Sequence, residues 1–173
     1  MKKIKYFVFD ILFLALLVFI DQYTKYLAVI YLKDKSAYNI INGVLELNYL
    51  ENKGAAFGML QNQKLFFVFV AIVFVVVIGY VLFKTPLDKK YNKLHVLLVM
   101  ISAGAIGNLI DRLRFDYVVD FIFVSLINFP IFNFADICVT VSTFLLIILI
   151  LFVYKDKDFY FLSFHPQKFR ELK

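Results

Sequence analysis

The stretch LFFVFVAIVFVVVIGYVLF, Leu65 to Phe83, is nineteen residues long and carries no charge. At about 1.5 Å of rise per residue it covers roughly 28 Å as a helix, close to the hydrocarbon thickness of a bilayer. No soluble amphipathic helix is apolar on every face. Three further segments meet the same test: Leu94 to Ile110, Ile137 to Tyr154, and Phe7 to Ala28, the last interrupted by Asp10, Asp21 and Lys25. The composition agrees, since 62% of the 173 residues are hydrophobic and the mean hydropathy is +0.81. Soluble domains hold about 45–50% apolar residues.

The reading is a single integral-membrane domain, residues 1–173, all-α with four transmembrane helices at about 7–28, 65–83, 94–110 and 137–154. Four spans place both termini on one side. Twelve of the nineteen basic residues, from Lys2, Lys3 and Lys5, the 84–93 link and the 155–173 tail, fall on that side. The positive-inside rule therefore makes the termini cytoplasmic. It also explains the net charge of +6 as orientation and anionic-lipid contact, and no basic aromatic module points to nucleic acid. MKKIKYFVFDILFLALLVFI imitates a secretory signal peptide but lacks a small-x-small cleavage site, so it reads as the first helix.

Two connections lie outside. In the first, about 31–64, Val44, Leu45 and Leu47 partly alternate with polar residues around Gly43, Gly54 and Gly58, which predicts a small extracytoplasmic β-rich loop, a hairpin or sheet. In the second, FIFVSLINFPIF is too short to span and reads as a short interfacial helix or re-entrant piece. Ser102, Ala103, Gly104, Ala105 and Gly107 give the third helix a close-packing face and place it centrally. The basic aromatic tail from Lys155 rests on the inner surface.

Placed on this topology, the polar residues come to one level near the outer face. Charges inside a bilayer are costly and are kept for pairing or function. Asp21 and Lys25 stand at i, i+4, the spacing of a structural ion pair. Asn108, Asp111 and Arg112 share the outer end of the third helix, where Arg112 pairs with a carboxylate or binds a substrate carbonyl. Asp120 and Asp136 have no nearby cation in sequence to account for them. Singly, Asp136 reads as an N-cap and Asp120 as a loop residue; together they form a carboxylate dyad sharing a proton, able to activate water and polarise a carbonyl. His95 and His165 fall on the inner side, so no zinc site is expected, and no cofactor is implied. The lone Cys138 reads as a small buried hydrophobe.

Five motifs in order, DQYTK (Asp21–Lys25), ENKGAAFG (Glu51–Gly58), GNLIDR (Gly107–Arg112), VVDF (Val118–Phe121) and FNFAD (Phe132–Asp136), together resemble the lipoprotein signal peptidase, or signal peptidase II, family. The resemblance implies a four-helix aspartyl peptidase of the bacterial cytoplasmic membrane with its site near the outer leaflet. It implies catalysis by Asp120 and Asp136, substrate positioning or dyad support by Asn52, Asn108, Arg112 and Asn133, and structural support from Asp21, Lys25, Gly54 and Asp111. The implied substrate is a diacylglyceryl-modified prolipoprotein, cut just before its lipidated cysteine, with membrane lipids and globomycin-type inhibitors as further partners. Two rival readings are a proton-coupled transporter, which requires polar residues continuing to the inner side, and an assembly subunit binding a partner helix.

Overall fold

The computed structural model describes residues 2–54 and 62–163. The Ala55–Gly58 part of the ENKGAAFG motif, Gly58 included, and the tail from His165 onward lie outside the described residues. The chain runs α1 (Lys2–Leu32), β1 (Tyr38–Ile41), β2 (Leu45–Asn52), α2 (Lys64–Lys84), α3 (Asn92–Phe115), β3 (Val118–Phe123) and α4 (Phe134–Ile148), with a π-helical turn, Leu149–Val153, extending α4. Among the described residues three helices are long and apolar enough to cross a membrane: α2, α3 with the 3-10 turn before it, and α4 with its π turn. The 31-residue α1 spans the first predicted segment and carries Asp10, Asp21 and Lys25, all buried.

The helix with the small residues is central, as its sequence predicts. The most apolar window of α3 is 61% buried inside the protein, against 17% for α4 and 6% for α2. A Cβ on Gly104 would stand 2.7 Å from Val139 Cγ2 on α4 and against the Ala135 carbonyl, so only glycine permits this approach. Lipid supplies no hydrophobic drive between helices, and close contact of this kind holds them together.

The predicted hairpin forms. Val44 N–H donates to the Ile41 carbonyl at 3.0 Å across a turn whose Gly43 has φ +70°, a conformation that costs glycine little. The second connection corrects the sequence reading. Val118 to Phe123 is a third strand, antiparallel to β2, and the only helix in the FIFVSLINFPIF stretch is a single 3-10 turn at Ser125–Ile127. The first four residues of β3 are buried, which explains why the strand is apolar on both faces apart from Asp120. Ala28, Leu32, Val119 and Phe121 form the apolar cluster between this sheet and α1. An isolated bridge pairs Ile122 with Phe132 and so brings the start of α4 beside β3.

Candidate active site

The site starts from one buried ammonium. Lys25 is 3% exposed, and its three protons meet three acceptors: Asp21 Oδ2 at 3.0 Å, Asp111 Oδ2 at 3.1 Å and Asn108 Oδ1 at 2.8 Å. The i, i+4 pair forms as its spacing predicts and reaches across to α3. Gln22, which sequence reasoning missed, stitches the same two helices, donating through Nε2 to Asp111 Oδ1 at 2.9 Å, Asp21 Oδ2 at 3.1 Å and the Gly107 carbonyl at 3.2 Å. The room exists because Gly107 lacks a side chain: a Cβ there would stand 2.9 Å from Asp21 Cγ. Each carboxylate then spends remaining acceptor capacity on backbone beside the candidate dyad. Asp21 Oδ1 accepts from Ala135 N at 3.0 Å and Asp111 Oδ2 from Val119 N at 3.1 Å, next to Asp136 and Asp120 respectively.

Three asparagines carry the network to those two residues, and each is oriented by what its carbonyl oxygen accepts. Asn108 Oδ1 faces Lys25, which turns Nδ2 to Asp136 Oδ1 at 2.8 Å. Asn133 Oδ1 caps α4 by accepting from Asp136 N at 3.0 Å, which turns Nδ2 to Asp120 Oδ1 at 2.6 Å and Asn108 Oδ1 at 3.1 Å. Asn52 Oδ1 accepts from Gly54 N at 2.9 Å, which turns Nδ2 to Asp120 Oδ2 at 2.8 Å. The last contact follows from sheet register, because Leu50 pairs with Asp120 and Asn52 lies two residues on, along the same face.

The N-cap reading of Asp136 is corrected by this geometry. Asn133 is the N-cap of α4, and Asp136 completes a capping box by accepting from Asn133 N at 3.1 Å. Asp120 is not a water-facing loop residue but a 2% exposed position on β3. Burial, followed by the charge of Asp136, lifts its carboxyl from an ordinary 3.8 to about 7, although the amides of Asn52 and Asn133 favour the ionised form. A carboxyl at that level holds or releases a proton near neutrality.

Arg112 makes no ion pair with a carboxylate among the described residues. Its Nη2 donates to the Gly54 carbonyl at 3.2 Å, its Nη1 to the Asn108 carbonyl at 3.4 Å, and its guanidinium lies 4.7 Å above the Phe67 ring. Asn52, Gly54, Asn108, Arg112, Asp120 and Asp136 line a cavity of about 280 Å³, with Val118, the 129–132 segment and Thr140 as its other walls. The apolar 129–132 wall ends the FIFVSLINFPIF stretch, which the sequence places in the interface without tying it to the site. His95 lies elsewhere, against Asp10, and Cys138 is buried.

Paired carboxylates held by amides, beside a cavity at one end of an apolar helical bundle, make this the candidate site of a membrane enzyme. The family is legible in comparison with known proteins: the chain belongs to the signal peptidase II family, whose profile matches residues 13–152. The lipoprotein signal peptidase of Caldanaerobacter subterraneus is 47% identical over 143 residues, covering 82% of this chain and 95% of the relative. That of Brevibacillus brevis is 42% identical over 134 residues, covering 78% and 89%. Two solved structures described as bacterial membrane enzymes superpose with TM-scores of 0.73 and 0.71, at 34% and 33% identity. They cover 82% and 84% of this chain and 87% and 94% of their own.

Proposed function

We propose that this protein is an aspartyl endopeptidase that removes signal peptides from diacylglyceryl-modified prolipoproteins, cutting just before the lipidated cysteine. Family membership supports proteolysis of lipoprotein signal peptides. The observation that carries the mechanism is the pair Asp120 and Asp136, each held by amide donors rather than by a cation. Asp136, in the first turn of α4 where the helix dipole favours negative charge, takes a proton from water. Asp120, protonated, donates to the scissile carbonyl oxygen as the hydroxide adds to the carbonyl carbon. Collapse of the tetrahedral intermediate passes a proton to the leaving amine and returns the pair to its single shared proton. Asn52, Asn108 and Asn133 keep the carboxylates aimed, and Arg112 fixes the loop at Gly54 beside the bound peptide. Acyl chains remaining in lipid limit the peptide's freedom and bring its backbone to the dyad.

The single domain, residues 1–173, crosses the bacterial cytoplasmic membrane four times, with α1 as the fourth crossing. Its 31 residues reach about 46 Å, more than enough for the bilayer core. Its Asp10, Asp21 and Lys25 are buried against other helices, while Ile11, Leu12, Leu16 and Phe19 are exposed to lipid. Basic residues then put both termini and the tail in the cytoplasm, and the sheet and dyad at the outer leaflet. A transporter reading finds a second buried polar pair, Asp10 and His95, but Leu17, Ala103 and Cys138 form an apolar layer along the bundle.

The test is cleavage of a lipidated precursor by the purified protein in liposomes with a metal chelator present. We expect a cut just before the modified cysteine, blocked by globomycin-type cyclic peptides and absent for the unlipidated precursor. No cleavage under any of these conditions would return the transporter and assembly readings. Cysteines introduced at Lys3 and Lys35 should label from opposite sides, and labelling from one side would remove the four-span topology.

A further inference from the structure

A second buried titratable pair, which the proposed chemistry does not use, joins α1 to α3 toward the N-terminal end of each helix. Asp10 Oδ2 lies 3.0 Å from His95 Nδ1, with Asp10 8% and His95 3% exposed. One turn nearer the helix ends, Tyr6 donates its hydroxyl to Asn92 Oδ1 at 3.3 Å, and its ring tilts against the imidazole at 6.0 Å. His95 Nε2 is buried and has no hydrogen-bond partner among the described residues. An unpaired buried ring nitrogen is a net cost to the fold and marks out its surroundings.

Those surroundings are roomy. His95, Asp10, Tyr6 and Asn92 line a cavity of about 370 Å³, walled otherwise by Phe9, Val96 and Lys5. That is roughly ten times the volume of one water. Asp10, the only acid among the described residues that line it, is engaged by His95. Lys5 forms no ion pair among the described residues, and the Asn92 amide nitrogen makes no hydrogen bond there. Lys89 and Lys93 belong to the same end of α3 and are exposed, which makes this end cationic. An apolar wall under a cationic, donor-bearing rim matches an anionic amphiphile.

We propose that this cavity binds the phosphate headgroup of an anionic membrane lipid. Lys5 and the Asn92 amide hold the phosphate oxygens, His95 keeps the one lining carboxylate, Asp10, engaged and away from the headgroup, and an acyl chain lies along Phe9 and Val96. The proposed orientation makes this an inner-leaflet lipid; the site itself does not depend on that orientation or on the peptidase reading.

The experiment measures lipid binding to the detergent-purified full chain by native mass spectrometry, with thermal melting alongside. Phosphatidylglycerol, phosphatidylcholine and inorganic phosphate are the probes. Phosphatidylglycerol should bind about tenfold more tightly than phosphatidylcholine and raise the melting temperature, and Lys5→Gln and His95→Phe should each erase that preference. Lys5 is exposed, so its variant keeps the measurement valid should His95→Phe fail to fold. Equal binding of the two lipids, an unchanged preference in Lys5→Gln, or displacement of the lipid by millimolar inorganic phosphate would each overturn the proposal.

Discussion

Four aspartates, three of them buried and Asp136 half-buried, converge at one end of this molecule, and they live in two different environments. Asp21 and Asp111, on α1 and α3, share the ammonium of Lys25 at 3.0 and 3.1 Å. Asp120 and Asp136, on β3 and α4, receive hydrogen bonds among the described residues only from amide groups, of Asn52, Asn108, Asn133 and the Asn133 backbone. Removing the charge of a carboxylate bound to a buried cation strands that cation, so the first two are suited to holding α1 against α3. A carboxylate held by neutral donors keeps its orientation yet remains free to gain or lose a proton. In the proposed mechanism the same residue type thus serves as frame in one region and as the reacting pair in the other.

The largest effect should separate the two regions by activity. Asp120→Asn and Asp136→Asn keep side-chain shape and remove the charge alternation, so each should lower cleavage of a lipidated precursor by at least about 10³-fold while the protein stays folded. The double variant should cost little more than either alone, since groups acting as a unit are non-additive. Near-normal turnover in a well-folded single variant would dissolve the distinction. On the other side, Lys25→Met leaves two buried carboxylates without their cation and should cost about 3–5 kcal/mol of stability, read by denaturation in detergent. Asp21→Asn should likewise act through the amount of folded protein. Normal yield with no turnover would move Asp21 into the reacting pair.

A finer separation lies within one residue. Asn133→Ser retains an oxygen able to cap α4 but loses the Nδ2 donor to Asp120, so melting should change little while cleavage falls about 10–100-fold. A matched loss of both would mean that Asn133 acts only as a cap.

The smallest effect is on pH dependence. Asp120 titrates near 7 in the folded protein against 3.8 ordinarily, so between those values the folded state binds more protons than the unfolded chain. Its contribution to stability is therefore fully present below pH 3.8 and is lost as pH rises through about 7. Cleavage should fall over the upper part of the same range as the donor proton is lost. Melting temperatures across this window should slope less in Asp120→Asn, and an identical slope would assign the titration to another group.

Much of this was legible because the bilayer imposes simple arithmetic. Charge-free runs fixed α2, α3 and α4, and the polar residues stranded between them marked the site. β3 was not legible: a strand buried on both faces has no alternation, and its apolar run continues through the 3-10 turn, so nothing separates it from an interfacial helix. The cap of α4 was placed three residues late because Asp136 and Asn133 are both good caps, and only the fold chooses between them. Gln22 sits inside a quoted motif, yet a glutamine in a helix is ordinary, and its partners lie 85 to 89 residues away. The Asp10–His95 pair has the same problem across 85 residues.

The nineteen-residue run in α2 has a different kind of consequence. Among its residues from Lys64 to Lys84 only Ile78 is buried, and no side chain there apart from the terminal Lys64 makes a hydrogen bond or ion pair among the described residues. Phe67 lies against Arg112, Phe83 against Phe7, and Val81 and Leu82 pack on the core, but most other positions are exposed on the outside of the bundle, where lipid tails cannot tell valine from isoleucine or phenylalanine. This helix therefore stores a length and almost no spelling. Its letters can drift freely while their number stays fixed by the thickness of the membrane around it.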